Sequence, residues 1–270
     1  MNIPGFEPRK ILALTKRDVY NWTSYKSQII TTVLGGVVGV ATWGVNSTYV
    51  NRPVPEYNTN YLSFLMVGIL ITNLIMPLSS GLSSRLNPWT IENVLMTGLQ
   101  SSTLILGTVA WTYIISVLLF IPELLIAFTV FHVALSINIL SLVIAIAISS
   151  TIVFSLAMIT TGIRIVTKVS DPITYAITLA ASLLAGMTYP VDQLNSYIPG
   201  LSTVSWFLPQ TWIYHIVRLA ALENASLLDP NIAEQFLITL LIGIFLLYFS
   251  SKVFGWGIRR AKREGTLGWY

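Results

Sequence analysis

The chain has 270 residues, of which 54% are hydrophobic and only 10% charged, with a formal net charge of +4 and no cysteine. Soluble domains carry about 25% charged residues, so one water-soluble core is excluded and an all-α, polytopic membrane protein is the expected class. The lack of cysteine rules out disulfides, thiolate chemistry and Cys-ligated metals.

The N-terminal stretch has no apolar core followed by a small-residue cleavage site, so it does not read as a signal peptide. Residues 6–25 suit an amphipathic helix lying in the membrane interface. On it Ile11, Leu12, Leu14, Val19 and Trp22 share one side, while Arg9, Lys10, Lys16, Arg17 and Asp18 fall elsewhere. A first span follows at residues 27–45, where Gly35, Gly36 and Gly39 make a small-residue face for close helix packing. Residues 46–60 hold Pro53 and Pro55 and read as a loop. The second span covers residues 61–82, with a kink expected at Pro77.

Residues 83–102 form a polar connector with a short helix inside. Asn87 can cap it, Pro88 fits its first position, and Ile91, Val94 and Leu95 share a face. Such a helix suits docking to a soluble partner. The third span, residues 103–131, is too long for an untilted crossing of a ~30 Å core at 1.5 Å per residue. Pro122 and Glu123 are expected to divide it. The fourth span is residues 137–162, Arg164 and Lys168 lie in a tight loop, and the fifth span is residues 172–187.

The apolar run then stops at Gly186 and breaks at Tyr189 and Pro190. Amphipathic material with Pro199 and Pro209 follows, and a last short run ends near Arg218. Residues 188–218 are too short to span, so they read as a pair of re-entrant helices folded back into the outer face. Irregular backbone at that depth requires protein or a wet cavity around it. A polar loop over residues 223–234, a sixth span at 236–254 and a basic tail complete one transmembrane domain over residues 1–270.

Orientation follows from the basic residues. With both termini cytoplasmic, thirteen of the fifteen fall on the inner side, leaving only Arg52 and Arg218 outside. The Asn-X-Ser/Thr triplets headed by Asn46 and Asn224 also fall outside. Trp43, Tyr61, Tyr189, Tyr197, Trp206, Trp212 and Tyr214 cluster at outer span ends, as an aromatic belt or as the lining of an exit path for an amphipathic cargo.

No GxxxxGK[ST], HExxH or GxSxG occurs, and the only histidines are His132 and His215. No catalytic residue and no metal site is therefore expected. Asn73, Gln100 and Asn138 are candidate interhelical hydrogen-bonders. Glu123 is the sharpest polar feature in an apolar run, and ionisable residues inside spans are costly. Counted from Thr103 it lies about 30 Å up its helix. There it either serves structure, in the outer headgroup zone or capping the helix that Pro122 begins, or acts as the coupling site of an ion- or proton-coupled carrier or channel.

Two sets of residues carry a family resemblance over nearly the full length. Gly186, Pro190, Leu194, Pro209 and Arg218 follow the outer pattern, and Trp89, Thr90, Ile91, Glu92, Leu95, Met96, Thr97 and Gly98 occupy the inner one. With six spans and cytoplasmic ends, the chain resembles the membrane subunit of a type-2 ABC transporter, the permease of an ABC exporter. Trp89 stands where that family has Gly, and Gly98 where it has Pro. The resemblance implies a multi-pass plasma-membrane permease that moves a drug-like, amphipathic or lipid-linked substrate outward. It implies residues 88–98 as the coupling helix, a second permease copy (identical or related) as partner, and two cytosolic ABC ATPase subunits holding ATP and Mg. Membrane lipid is the remaining partner, with no nucleic acid and no cofactor in this chain. Gly35, Gly36 and Gly39 are expected at an interface that slides during alternating access.

Overall fold

The computed structural model describes residues 8–50, 52–85, 101–167 and 184–263. The described chain is mostly helical. Five of its helices are long and apolar enough to cross a membrane: Lys26–Thr48, Tyr61–Leu82, Ile105–Thr129, Ile139–Thr167 and Pro230–Ala261. The chain is thus a helical membrane protein. The segment expected to form a fifth span, residues 172–187, lies almost wholly outside the described residues, as does the connector at 88–98.

Helix α1 is Pro8–Ser24 and α2 is Lys26–Thr48. The side of α1 that packs matches the expected one in Ile11, Leu14 and Trp22 but not in Leu12 and Val19. Ile11, Leu14, Thr15, Asp18 and Trp22 turn inward, whereas Leu12 is 71% exposed and Val19 also faces out. The inward set follows the i, i+3, i+4 spacing of a helix face. Asp18 is tolerated on it because Arg17 Nη2 lies 3.0 Å from its carboxylate. Leu14 seats against Gly107 and Trp22 stacks edge-on against Trp111, fixing α1 along the helix that contains both.

A two-residue ladder, β1 (Pro53–Val54) with β2 (Thr59–Asn60), closes the next loop, and its turn is held by Asn58 in the left-handed conformation. Asn60 then caps α3, Tyr61–Ile75, by accepting from the Ser63 N–H. The expected kink is a one-residue lapse at Met76, which keeps helical dihedrals and donates to the Thr72 carbonyl. The helix stops at Met76 and resumes as α4, Pro77–Arg85, with proline at its first position, where a missing N–H costs nothing. Helix α3 is the centre of the bundle, with 67% of its membrane window buried against 11% for α2.

Helix α5, Ser101–Thr129, corrects another expectation, because it runs unbroken through Pro122. The ring removes one donor, yet neighbouring helices keep the backbone helical, as membrane spans allow. Helix α6, Ile139–Thr167, extends past the expected end, so Arg164 lies in its last turn rather than in a loop. The Asn138 side chain caps it through the Ser141 N–H, and it is the main-chain N–H of Asn138 that bonds across, to the Ala220 carbonyl.

Past Gly186 the chain makes a 3-10 turn at Val191–Gln193 and then three short helices, not two: α7 (Leu194–Tyr197), α8 (Leu201–Trp206) and α9 (Pro209–Leu222). The last described helix, α10, runs Pro230–Arg263 and takes in the end of the loop before the expected span and the basic residues after it. Among the described residues the core has three centres. One joins α3, α6 and α9 around Phe64, Ile152 and Ile216. A second joins α2, α3 and α5 around Val40, Met66 and Ala127. A third joins α4, α6 and α10 around Leu82, Ala157 and Phe254.

Candidate functional site

The short helices form a cap that starts at the end of the bundle carrying the β1–β2 ladder and reaches along α3 from Tyr61 to Thr72. Backbone chemistry builds it. Gly186 turns the chain at φ +75°, Pro190 leads into the 3-10 turn, and Gly200 turns it again at φ +86° to open α8. Asn195 Oδ1 accepts from the Gly200 and Ser202 N–H groups, at 3.1 and 3.2 Å, and so caps α8. Pro209 occupies the first turn of α9, where its fixed φ suits a helix start.

Arg218 on α9 fastens this cap. Its side chain is only 2% exposed. Nη1 donates to the Gly186 carbonyl at 2.7 Å and Nη2 donates to the Met187 carbonyl. The guanidinium lies 3.6 Å from the centre of the Phe64 ring, with the rings of Tyr214 and Tyr57 at 5.6 and 6.0 Å. A planar cation over aromatic faces, with two charge-assisted bonds, is a setting that guanidinium fills and ammonium does not. Gly68 on α3 makes the approach possible, since a Cβ there would meet the Met187 carbonyl and Arg218 Nη2. Tyr61 donates to the Thr188 carbonyl at 3.0 Å, and Tyr214 bonds Thr72 of α3 at 2.9 Å, so the cap is pinned to α3 at three levels.

A polar chain continues outward. His215 Nε2 lies 2.6 Å from Gln235 Oε1, which can only accept, so Nε2 carries the proton. Nδ1 of the neutral ring then accepts from the Tyr57 hydroxyl at 2.8 Å. Burial holds His215 below the ordinary histidine range, which keeps the ring in this neutral form. Burial also pushes Tyr57 far up, and it pushes Glu56 above the carboxylate range, with Asp192 adding to the effect and Arg218 opposing it. The network ties α9 to the β1–β2 loop and to α10.

Of the residues read from the sequence, Gly186 and Arg218 are joined directly. Pro190 is buried, Leu194 begins α7 and Pro209 begins α9, each shaping the backbone of the cap. Trp89, Thr90, Ile91, Glu92, Leu95, Met96 and Thr97 lie outside the described residues. The glycines of α2 do not act alike. Gly35 and Gly39 face open space, whereas Gly36 lies against the Glu123 carboxyl, so only one of the three makes a close contact within the described chain. Among the aromatic residues, Tyr61 and Tyr214 bond inward and Trp212 Nε1 donates to the Trp206 carbonyl, while Tyr197 is 83% exposed. Gly68, Tyr57 and Phe64 were not legible as site residues. A lone glycine in an apolar span was the single available signal.

The two glycine turns give a direct test of how the cap is built. At Gly186 a Cβ would strain the left-handed backbone and also strike the Val191 side chain. At Gly200 it would meet nothing within 4 Å. Gly186→Ala is expected to cost about 2–3 kcal/mol and Gly200→Ala about 1 kcal/mol, read as the difference in thermal unfolding of the two variants. Equal losses would show that contact with Val191 is immaterial.

No family model matches this chain, and no curated protein matches it at a significant level.

Proposed function

We propose that the chain is the permease subunit of an ATP-driven ABC exporter. In this reading it works in the cell membrane with both termini cytoplasmic, paired with a second permease copy. It moves an amphipathic, lipid-linked or drug-like cargo outward by alternating access. The observation that supports the reading is the bond from Arg218 to the Gly186 carbonyl. These are the first and last residues of the pattern on which the family resemblance rests, and they close on each other across a cap of short helices. The sequence has no ATP-binding loop of the Walker type, so two cytosolic ABC ATPases holding ATP and Mg supply the energy.

Residues 88–98 link α4 to α5 and are the proposed contact with the ATPase. A displacement there would act first on α4, which meets α5 closely at Gly81 and Thr112. The lapse at Met76 separates α4 from α3 and is a place where such a movement can be taken up. Helix α3 would carry it to the cap through Gly68 and Arg218.

Deleting residues 88–98 is expected to abolish recovery of an ATPase subunit with the tagged chain from membranes, while the chain still inserts. The cysteine-free sequence allows a second arm. A single cysteine at Thr97 is expected to react with a membrane-impermeant thiol reagent only from the cytoplasmic face. Undiminished co-purification, or labelling from outside, would overturn the reading.

A further inference from the structure

We propose that Glu123 is a proton-binding site at mid-depth of the helix bundle, sealed by α2 at Gly36. The inference goes beyond the permease reading and does not depend on it. Glu123 is 5% exposed. Asn73 Nδ2 on α3 donates to its Oε2 at 2.8 Å, and its other carboxyl oxygen lies where a side chain on Gly36 of α2 would begin. Gly36 is about 15 Å along α2 from Lys26, and Asn73 is about 18 Å along α3 from Tyr61, at the standard rise. The carboxyl therefore sits near the middle of both spans, not in the headgroup zone, one of the places that counting along α5 left open.

The surroundings offer the anion little. Apolar side chains of α2, α3 and α5 form the adjoining core, Val40, Ile69, Leu70 and Ala127 among them. The charged and titratable groups on the packed elements stand apart. Helix α2 carries only Lys26 at its start, α3 only Tyr61 at its start, α4 only Arg85 at its end, and α5 itself only Tyr113. Helix α1, against the first half of α5, carries Arg9, Lys10, Lys16, Arg17, Asp18 and Tyr20. Helix α6, whose Ser150 meets Tyr113, carries Arg164 in its last turn. Glu123 has no ion-pair partner among the described residues. A carboxylate accepts hydrogen bonds only, and a lone charge in hydrocarbon costs far more to bury than the neutral acid does.

Helix α2 is the least buried of the five candidate spans, and Gly35 and Gly39 meet nothing on either side of Gly36. Of the elements around the carboxyl, α2 is the one whose withdrawal would break the fewest contacts within the chain. As α2 closes, the carboxylate takes a proton from water and forms its O–H bond. As α2 withdraws and water enters, the same proton returns to water.

The test is infrared difference spectroscopy on the full chain in phosphatidylcholine vesicles at neutral pH, which needs no ATPase. The wild type is expected to show the carbonyl band of a protonated carboxylic acid. The band should vanish in Glu123→Gln and shift in Asn73→Ala, which removes the hydrogen bond and reports independently if the first variant misfolds. It should also shift or vanish in Gly36→Ala. No acid band in the wild type, or an acid band of undiminished intensity in Glu123→Gln, would overturn the site. Glu56, whose pKa burial raises, is replaced by glutamine in every sample so that its band does not interfere. An unchanged band in Gly36→Ala would overturn the seal.

Discussion

Replacing Arg218 with leucine is expected to free the cap from the bundle and to lower stability by about 2–5 kcal/mol. The loss is the sum of identifiable parts. The two carbonyls at Gly186 and Met187 would lose charge-assisted donors, and each buried unsatisfied acceptor costs about 1–3 kcal/mol. The cation over Phe64 would also go. Leucine keeps the apolar bulk, so the variant isolates the guanidinium. Arg218→Lys is expected to recover only part of the loss, because a point charge reaches one carbonyl and cannot stack flat on the ring. Gly68→Ala should reproduce part of the leucine phenotype from the opposite side, by pushing the Met187 carbonyl and Arg218 off α3. The measurement is thermal unfolding in detergent, paired with limited proteolysis of residues 184–208. A leucine variant that melts and is cleaved like the wild type would refute the clamp.

The two ends of this clamp were visible in the sequence, but the partners between them were not. Gly186 and Arg218 stand out because a glycine and an arginine are conspicuous at the edges of an apolar stretch. Gly68 and Phe64 look like ordinary members of a span. Only the crossing of α3 beneath the cap gives them their roles, and a linear pattern carries no information about that crossing. The same limit explains Glu123. Counting residues along α5 measures distance on one helix, whereas the depth of the carboxyl is set by which parts of α2 and α3 it meets. Apolar length marked the helices well, because a bilayer imposes a minimum run of residues. It marked their ends poorly. Helix α10 continues into Lys252, Arg259 and Arg260, since charged side chains can leave the hydrocarbon while the backbone stays helical. Pro77 and Pro122 show that proline alone does not decide a break. Both lie in apolar spans, yet the helix lapses for one residue before the first and is continuous at the other.

The crossing of α6 and α10 is where the smallest added group should do the most harm. A Cβ on Gly257 would overlap the Gly162 carbonyl oxygen, and a Cβ on Gly162 would come within 2.9 Å of the Phe254 Cα. Both obstacles are backbone, so no rotamer change relieves them, and the helices must move apart along their most extensive contact. Gly257→Ala is expected to cost about 1–3 kcal/mol, and Gly257→Leu more, as overpacking of a tight interior does. Helix propensity acts in the other direction, because alanine favours a helix over glycine by about 1 kcal/mol. Gly243→Ala supplies the control on the same helix. Its Cβ would meet Ile152 at an ordinary 3.4 Å, so propensity should prevail and the variant should be neutral or more stable. The double variant Gly162→Ala with Gly257→Ala should lose less than the sum of the single losses, since one separation of the helices relieves both clashes. Unfolding midpoints of the five variants, Gly162→Ala alone included, decide the matter. Gly257→Ala behaving like Gly243→Ala would mean that α6 and α10 are not in backbone contact at this crossing.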